Sequence, residues 1–90
     1  MKIVSIKIKP ETPVLEIGGR EVIAVDISTQ SWLGKIKTFE AYPSCRGKVR
    51  RKDDSLLYVE FVDKFGAFLD EEVSQQINNF LDIQKQLNVF

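Results

Sequence analysis

The stretch DEEVSQQINNFLDIQKQLN, residues 70–88, decides how the chain is expected to fold. Its apolar residues recur at the helical period of 3.6. They form one broad stripe, which consists of Val73, Ile77, Phe80, Leu81, Ile83 and Leu87. Asn78 and most of the other polar residues fall outside that stripe.

Asp70 is placed to cap the helix, and the two glutamates after it suit a first turn, where the macrodipole favours anions. The pattern predicts an amphipathic helix over 71–88 that covers one face of another layer.

The segment before this helix, SLLYVEFVD at 55–63, is apolar on both sides of an extended chain. One side carries Leu57, Val59 and Phe61, and the other carries Leu56, Tyr58 and Val62. Such a pattern is typical of a central strand that is covered on two faces. At the junction with the helix, Phe65 and Phe68 are expected to be buried, with Gly66 allowing the bend.

The amino-terminal half predicts further strands and hairpins. Residues 2–9 alternate between apolar and polar, as in a half-buried strand. A hairpin follows with two glycines at its tip. A bulged register that sets Glu16 beside Val22 is preferred, because a two-residue loop would set Glu16 opposite Glu21. A further strand over 35–42 is expected to end at Pro43.

These elements predict an α+β fold in a single domain over 1–90. We expect a five- to six-stranded, mainly antiparallel sheet, a meander of hairpins, with one C-terminal amphipathic helix packed on it. A small curled barrel stays open as an alternative arrangement of the strands. One helix covers one face only. The other face of the sheet is also expected to be apolar. It would meet a second protomer, close into a barrel or stay partly in contact with water. Its residues are Val22, Ala24, Leu56, Tyr58 and Val62.

The residue inventory excludes several kinds of chemistry. The chain has no histidine and one cysteine. Catalytic triads, imidazole bases and thiolate metal cages are therefore excluded. No glycine pattern for cradling phosphate occurs. We accordingly expect no enzymatic activity and no catalytic, cofactor-binding or metal-binding residues. Cys45 lies beside Arg46, which would lower the pKa of its thiol, but a loop cysteine without a task is the simpler interpretation.

Charge is distributed unevenly along a chain whose net charge is zero. Residues 1–52 hold eleven cations and five anions, and residues 53–90 hold two cations and eight anions. This polarity either closes on itself within one fold or orients one copy against another. With the apolar second face, it favours a small non-enzymatic module that binds another protein or a second copy of itself. The candidate contact residues are Trp32, Tyr58 and Val62, although Trp32 also suits a plug folded against the end of the sheet.

The stretch CRGKVRRKDDS, residues 45–55, supports a competing hypothesis. Five cations lie within seven residues: Arg46, Lys48, Arg50, Arg51 and Lys52. They suit a nucleic-acid-binding module, since phosphate contacts by such side chains dominate nucleic-acid affinity. The neutral chain and the two adjacent aspartates weigh against this reading, and cations on an edge strand also discourage aggregation.

The sequence also bears on location. No apolar run reaches the roughly 20 residues that cross a bilayer. Lysines interrupt the amino-terminal segment MKIVSIKIK, unlike the continuous apolar region of a signal peptide. With a single cysteine, these features predict a cytoplasmic protein without membrane contact.

Overall fold

A computed structural model describes residues 2–17, 20–50 and 57–87 of the chain; within these ranges, the side chains of residues 20, 45–50, 57 and 58 are not described. Six strands and one helix are present in these ranges. Their bounds are β1 Lys2–Ile8, β2 Leu15–Ile17, β3 Arg20–Val22, β4 Val25–Gln30, β5 Ile36–Arg50, β6 Leu57–Val62 and α1 Glu71–Gln86. The α+β prediction is confirmed, including antiparallel pairing and a single C-terminal helix on the sheet. The strands divide into a four-stranded sheet with the order β1-β4-β5-β6 and a separate β2-β3 ribbon.

One face of the four-stranded sheet forms the core, because alternate residues of each strand point to the same side. Across β1, β4 and β5 this face carries matched rows such as Ile6, Ile27 and Phe39. The β2-β3 ribbon and α1 add to the same core. Its fully buried members are Val22, Ile23, Val25, Ile27, Ala41, Val59, Phe61, Ile77 and Leu81. Burying each large apolar side chain stabilises the fold by about 1.5–3 kcal/mol.

The expectation of a second apolar face is wrong across β1, β4 and β5. Their reverse face carries the row Lys7, Asp26 and Glu40, and the Ser28 and Thr38 hydroxyls hydrogen-bond to each other there at 2.9 Å. Val22 and Ala24, which were expected on an uncovered face, are buried. Val22 is the last residue of the ribbon and Ala24 lies between the ribbon and β4, and both are buried in the core. Leu56 was expected on the same uncovered face, but this residue lies outside those that the structure describes.

The register of the β2-β3 ribbon also differs from the prediction. Leu15 pairs with Val22, and Glu16 lies directly opposite Glu21. The repulsion between these two carboxylates is offset, since the Lys85 Nζ of α1 lies 3.1 Å from Glu21 Oε1 while Glu16 is exposed.

Pro43 does not end a strand, because β5 continues to Arg50. Proline lacks an N–H donor and is tolerated where ladder pairing is irregular. Pro43 pairs with Phe61 and Lys48 pairs with Val59, so the four residues 44–47 lie opposite the single residue Glu60. This large bulge follows the proline directly.

Helix α1 ends at Gln86, two residues short of the prediction, and residue 88 lies outside the described part of the chain. Asp70 occupies the N-cap position, but its side chain makes no capping hydrogen bond. Its carboxylate therefore favours the helix only through the macrodipole. The buried stripe includes two polar residues, Ser74 and Asn78, both of which are fully buried.

These two polar side chains close the outer edge of β6. The Val59 N–H donates to Asn78 Oδ1 at 3.0 Å, and Asn78 Nδ2 donates to the Val59 carbonyl at 2.8 Å. The Phe61 N–H donates to Ser74 Oγ at 3.1 Å. The Phe61 carbonyl accepts from the Leu69 N–H at 2.9 Å. Helix α1 is therefore both an apolar cover for the core and a hydrogen-bonding partner for an edge strand.

Candidate functional site

Two turns of the molecule share one hydrogen-bond pattern. In the turn between β4 and β5, the Gly34 N–H donates to the Ser31 carbonyl, and the Ser31 N–H donates to the Lys35 carbonyl, both at 2.9 Å. The Lys35 N–H also donates to Ser31 Oγ at 3.2 Å. Gly34 has a φ of 87°, in the left-handed region that favours glycine. This is a tight turn closed by a glycine bulge, and it fixes the backbone at the tip of the hairpin.

The turn between β6 and α1 repeats this pattern. The Gly66 N–H donates to the Asp63 carbonyl at 3.0 Å, and the Asp63 N–H donates to the Ala67 carbonyl at 2.9 Å. Asp63 Oδ1 accepts from the N–H groups of Phe65 and Ala67. Gly66 has a φ of 86°, almost equal to that of Gly34. Residues 31–35 (SWLGK) and 63–67 (DKFGA) therefore form turns with the same backbone hydrogen bonds.

An exposed apolar tip is formed by the two central residues of the first turn, Trp32 and Leu33, together with Ile36, the first residue of β5. Trp32 is 89% exposed, and Leu33 and Ile36 are also largely exposed. The interpretation of Trp32 as a plug is therefore wrong, because the turn directs it away from the sheet. Large apolar side chains gathered at one exposed place commonly mark an interaction surface.

Beside the second turn lies a phenylalanine groove of about 1150 Å³. Its lining includes the partly buried residues Ile3, Phe39, Leu69 and Val73. Its rim includes the two exposed phenylalanines of the loop, Phe65 and Phe68. Phe65 is 83% exposed and Lys64 Nζ lies 5.3 Å from the centre of its ring. The prediction that Phe65 and Phe68 are buried is wrong, since the turn at Gly66 turns the chain outward before the helix begins.

The charges around the tip and the groove differ in sign. The only charged residues from 27 to 39 are Lys35 and Lys37, which flank the apolar tip. The helix side of the groove carries Asp63, Asp70 and Glu72. Its sheet side carries Lys2, Lys9 and Lys37 together with the carboxylates of Asp26 and Glu40. With Lys64 included, the helix side of the groove still has a net negative charge, whereas the tip is cationic.

A cluster of charges lies just beyond the end of β1, and three of its members, Lys9, Asp26 and Glu40, also line the groove. Lys9 Nζ lies 3.4 Å from Asp26 Oδ1, 3.6 Å from Glu11 Oε1 and 3.9 Å from Glu40 Oε1. Desolvation lowers the pKa of Lys9, but the nearby carboxylates outweigh it, so the pKa lies above the ordinary value for lysine. The Tyr42 hydroxyl donates to Glu40. The ammonium group neutralises carboxylates that would otherwise repel one another, which is a structural role.

The structure distributes the residues predicted to bind partners over different elements. Trp32 lies on the exposed tip, whereas Val62 is half-buried in β6 opposite Tyr42. Tyr58 pairs with Val49, and its side chain is not among those described. Of the two predicted contact residues whose side chains are described, Trp32 is exposed and Val62 is half-buried.

The basic stretch is described only in part. The backbones of Arg46, Lys48 and Arg50 belong to β5, with Lys48 opposite Val59 and Arg50 opposite Leu57. Their side chains are not described, and Arg51 and Lys52 lie outside the described residues. The same applies to the side chain of Cys45.

Sequence reasoning missed Leu33, Ile36, Phe65 and Phe68 as surface residues. A signal was present, since Ser31 and Gly34 have the same spacing as Asp63 and Gly66. A serine or aspartate three residues before a glycine suits a turn whose middle residues project outward. Within the described ranges, no group of three or more acidic or cysteine side chains is placed to hold a metal ion. The described helix is too short and too polar to span a membrane.

No family model, curated protein or solved structure matches this chain.

Proposed function

We propose that this chain is a small, non-enzymatic protein-interaction module whose anchor is the exposed tip at Trp32, Leu33 and Ile36. The observation that carries the proposal is the almost complete exposure of Trp32 on a turn fixed by backbone hydrogen bonds. Tryptophan is enriched among the few residues that dominate binding energy at protein interfaces.

The ordered turn favours binding for an entropic reason. Immobilising a side chain or loop at an interface costs free energy, and a backbone that is already fixed avoids part of that cost. The tip is held by the three bonds described above and by Gln30 Nε2, which donates to the Gly34 carbonyl at 3.3 Å. Trp32 is thus presented by a rigid scaffold.

This support differs from the support that the sequence offered. The expected uncovered apolar face is polar across β1, β4 and β5, so it does not offer the apolar partner surface that the sequence predicted there. The support comes instead from the exposed tip and the turn that holds it. Tyr58 and Val62 are no part of it.

Site-specific photo-crosslinking in cells that express the full chain tests this proposal. A photoreactive residue at position 32 is expected to give a discrete protein adduct. Excess wild-type protein should compete for that adduct, and Trp32→Ala protein should not. The matched control is the same photoreactive residue at Ile83, an exposed apolar position on α1. Absence of a competed adduct at position 32, or equal adducts at both positions, contradicts the proposal.

The alternative, a nucleic-acid-binding module, draws its support from the five cations at 46–52, three of which lie on the β5 arm that pairs with β6. An electrophoretic mobility shift at two salt concentrations distinguishes it. Binding that weakens steeply with salt, and that is lost when Arg46, Lys48 and Arg50 are replaced by glutamine, would favour this alternative. Unchanged migration at low salt would remove it.

A further inference from the structure

We infer that the partner of the apolar tip is a second copy of this chain, with Trp32 and Leu33 of each copy seated in the phenylalanine groove of the other. This inference rests on the proposed function and names the surface that receives the anchor. The occupant and the groove are both on the described part of the chain, and three observations connect them.

The first observation is complementary charge. The tip carries Lys35 beside Trp32 and Leu33, and the helix side of the groove carries Asp70 and Glu72. A tip entering the groove along the helix side brings its lysine to these carboxylates. Complementary charges of this kind fix the orientation of an encounter and exclude the reverse register. On the sheet side, the carboxylates of Asp26 and Glu40 are already paired with Lys9, and Lys37 would repel Lys35.

The second observation is fit. The groove has a volume of about 1150 Å³, above the roughly 300–1000 Å³ typical of pockets that hold small ligands, so an indole and a leucine can enter together. Its lining offers apolar contact through Ile3, Phe39, Leu69 and Val73. Phe65 and Phe68 at the rim suit the edge-to-face contacts that aromatic pairs prefer. Association would therefore remove from water the large apolar side chains of both turns.

The third observation is the position of the two surfaces on one molecule. Lys37 lines the groove and follows Lys35 of the tip by two residues. Tip and groove are therefore neighbours, which allows two copies to exchange tips reciprocally. Reciprocal exchange produces a closed two-fold dimer with two copies of the same contact.

The single tryptophan makes this inference directly testable by fluorescence and analytical ultracentrifugation. The wild-type chain is expected to sediment as a dimer at high micromolar concentration. Its tryptophan emission should shift to the blue on concentration, because Trp32 leaves water. A tip variant, Trp32→Ala with Leu33→Ser, and a groove variant, Phe65→Ser with Phe68→Ser, should each weaken the dimer at least about tenfold, as expected for central anchor residues.

Mixing the two variants provides the decisive measurement. The tip variant has an intact groove and no tryptophan, whereas the groove variant has an intact tip and the only tryptophan. Adding the tip variant to the groove variant should shift the emission to the blue, since one of the two contacts forms again. Adding more of the groove variant should not. Ile83→Ser, which alters an exposed apolar residue of α1, is the matched control and should dimerise as the wild type does.

A wild-type chain that remains monomeric with unshifted emission overturns the inference, as does a dimer that neither variant weakens. These results are distinguishable from failure of the proposed function. If Trp32 cross-links to a different protein while the chain stays monomeric, the interaction module stands and the second copy is excluded. If position 32 gives no competed adduct at all, the proposed function fails as well.

Discussion

The two edges of the four-stranded sheet end in different ways. At β6, the backbone groups of Val59 and Phe61 that point outward are bonded by Asn78, Ser74 and Leu69. Among the residues that the structure describes, β1 has a strand partner on one side only. It carries exposed lysines at both ends and an irregular register between Ile3 and Ser5.

The difference shows two solutions to one problem. An open strand edge is a template for unwanted pairing, and proteins manage it by covering it or by making it a poor template. The β6 edge is covered by neutral, buried hydrogen bonds from a helix. The β1 edge is protected by charge and a bulge. We expect the hydrogen bonds at the β6 edge to contribute mainly to stability. We expect the charge and bulge at the β1 edge to affect mainly association between molecules. The following substitutions separate these two effects.

The largest expected effect comes from Asn78→Ala. This substitution leaves the N–H and the carbonyl of Val59 buried without partners. Each unsatisfied buried group costs about 1–3 kcal/mol, so we expect a loss of roughly 2–5 kcal/mol in the free energy of unfolding. Urea denaturation measures it. The control is Asn79→Ala, since exposed Asn79 accepts only a surface bond from Gln75. Equal losses for both variants would contradict the closed-edge description.

Ser74→Ala is expected to have a smaller effect of the same kind. It removes the acceptor for the Phe61 N–H, which costs about 1–2 kcal/mol. The greater helix propensity of alanine recovers part of this loss. Denaturation should therefore rank Ser74→Ala below Asn78→Ala. Ser28→Ala, on the exposed reverse face, should change the unfolding free energy less than either.

Gly66→Ala and Gly34→Ala compare the turn that leads into the covered edge with the turn at the far end of the β4-β5 hairpin. Both glycines have positive φ, and an added Cβ would meet no atom within 4 Å at either position. The cost is therefore conformational, at about 1–2 kcal/mol each. We expect the two variants to be destabilised equally within error in thermal unfolding. A markedly larger effect at Gly66 would indicate that its turn also holds the β6 edge in place.

The smallest effect on stability is expected for Lys7→Val in the open strand. Lys7 is exposed on the reverse face, and surface substitutions of this kind usually change stability by less than about 0.5 kcal/mol. Losing an edge lysine should nevertheless increase aggregation on prolonged incubation, followed by light scattering. The comparison is Asn79→Val, which places a valine at an exposed helix position away from β1. If neither variant aggregates faster than the wild type, charge is not what protects β1.

The same comparison explains what the sequence could and could not predict. Helix α1 and most strands follow from local periodicity, and the α+β architecture follows from their order. Asn78 was predicted to lie outside the buried stripe, because a hydrophobic pattern assigns polar residues to solvent. Yet Ser74 and Asn78 are four residues apart, beside Ile77 and Leu81 on the same helix face. They are buried because the edge of β6 presents backbone groups that they hydrogen-bond.

Long-range charge pairs were likewise beyond prediction from local sequence. The pairing of Glu16 with Glu21 is accompanied by an ion pair between Glu21 and Lys85, which is 64 residues away in the sequence. For the candidate site, the unusual position of Trp32 was visible in the sequence. Its exposure depends on the backbone of the turn, which a composition argument does not include. The phenylalanine loop was misjudged for the same reason.

The long strand β5 has a consequence for how the sheet is connected. It pairs with β4 through residues 36–41 and with β6 from Tyr42 onward, so its two neighbours bond to successive lengths of one strand. The sheet thus consists of two hydrogen-bonded ladders that meet end to end on β5 near Pro43. A distortion of one ladder can therefore reach the other along the β5 backbone near Pro43, as well as through side-chain packing in the common core.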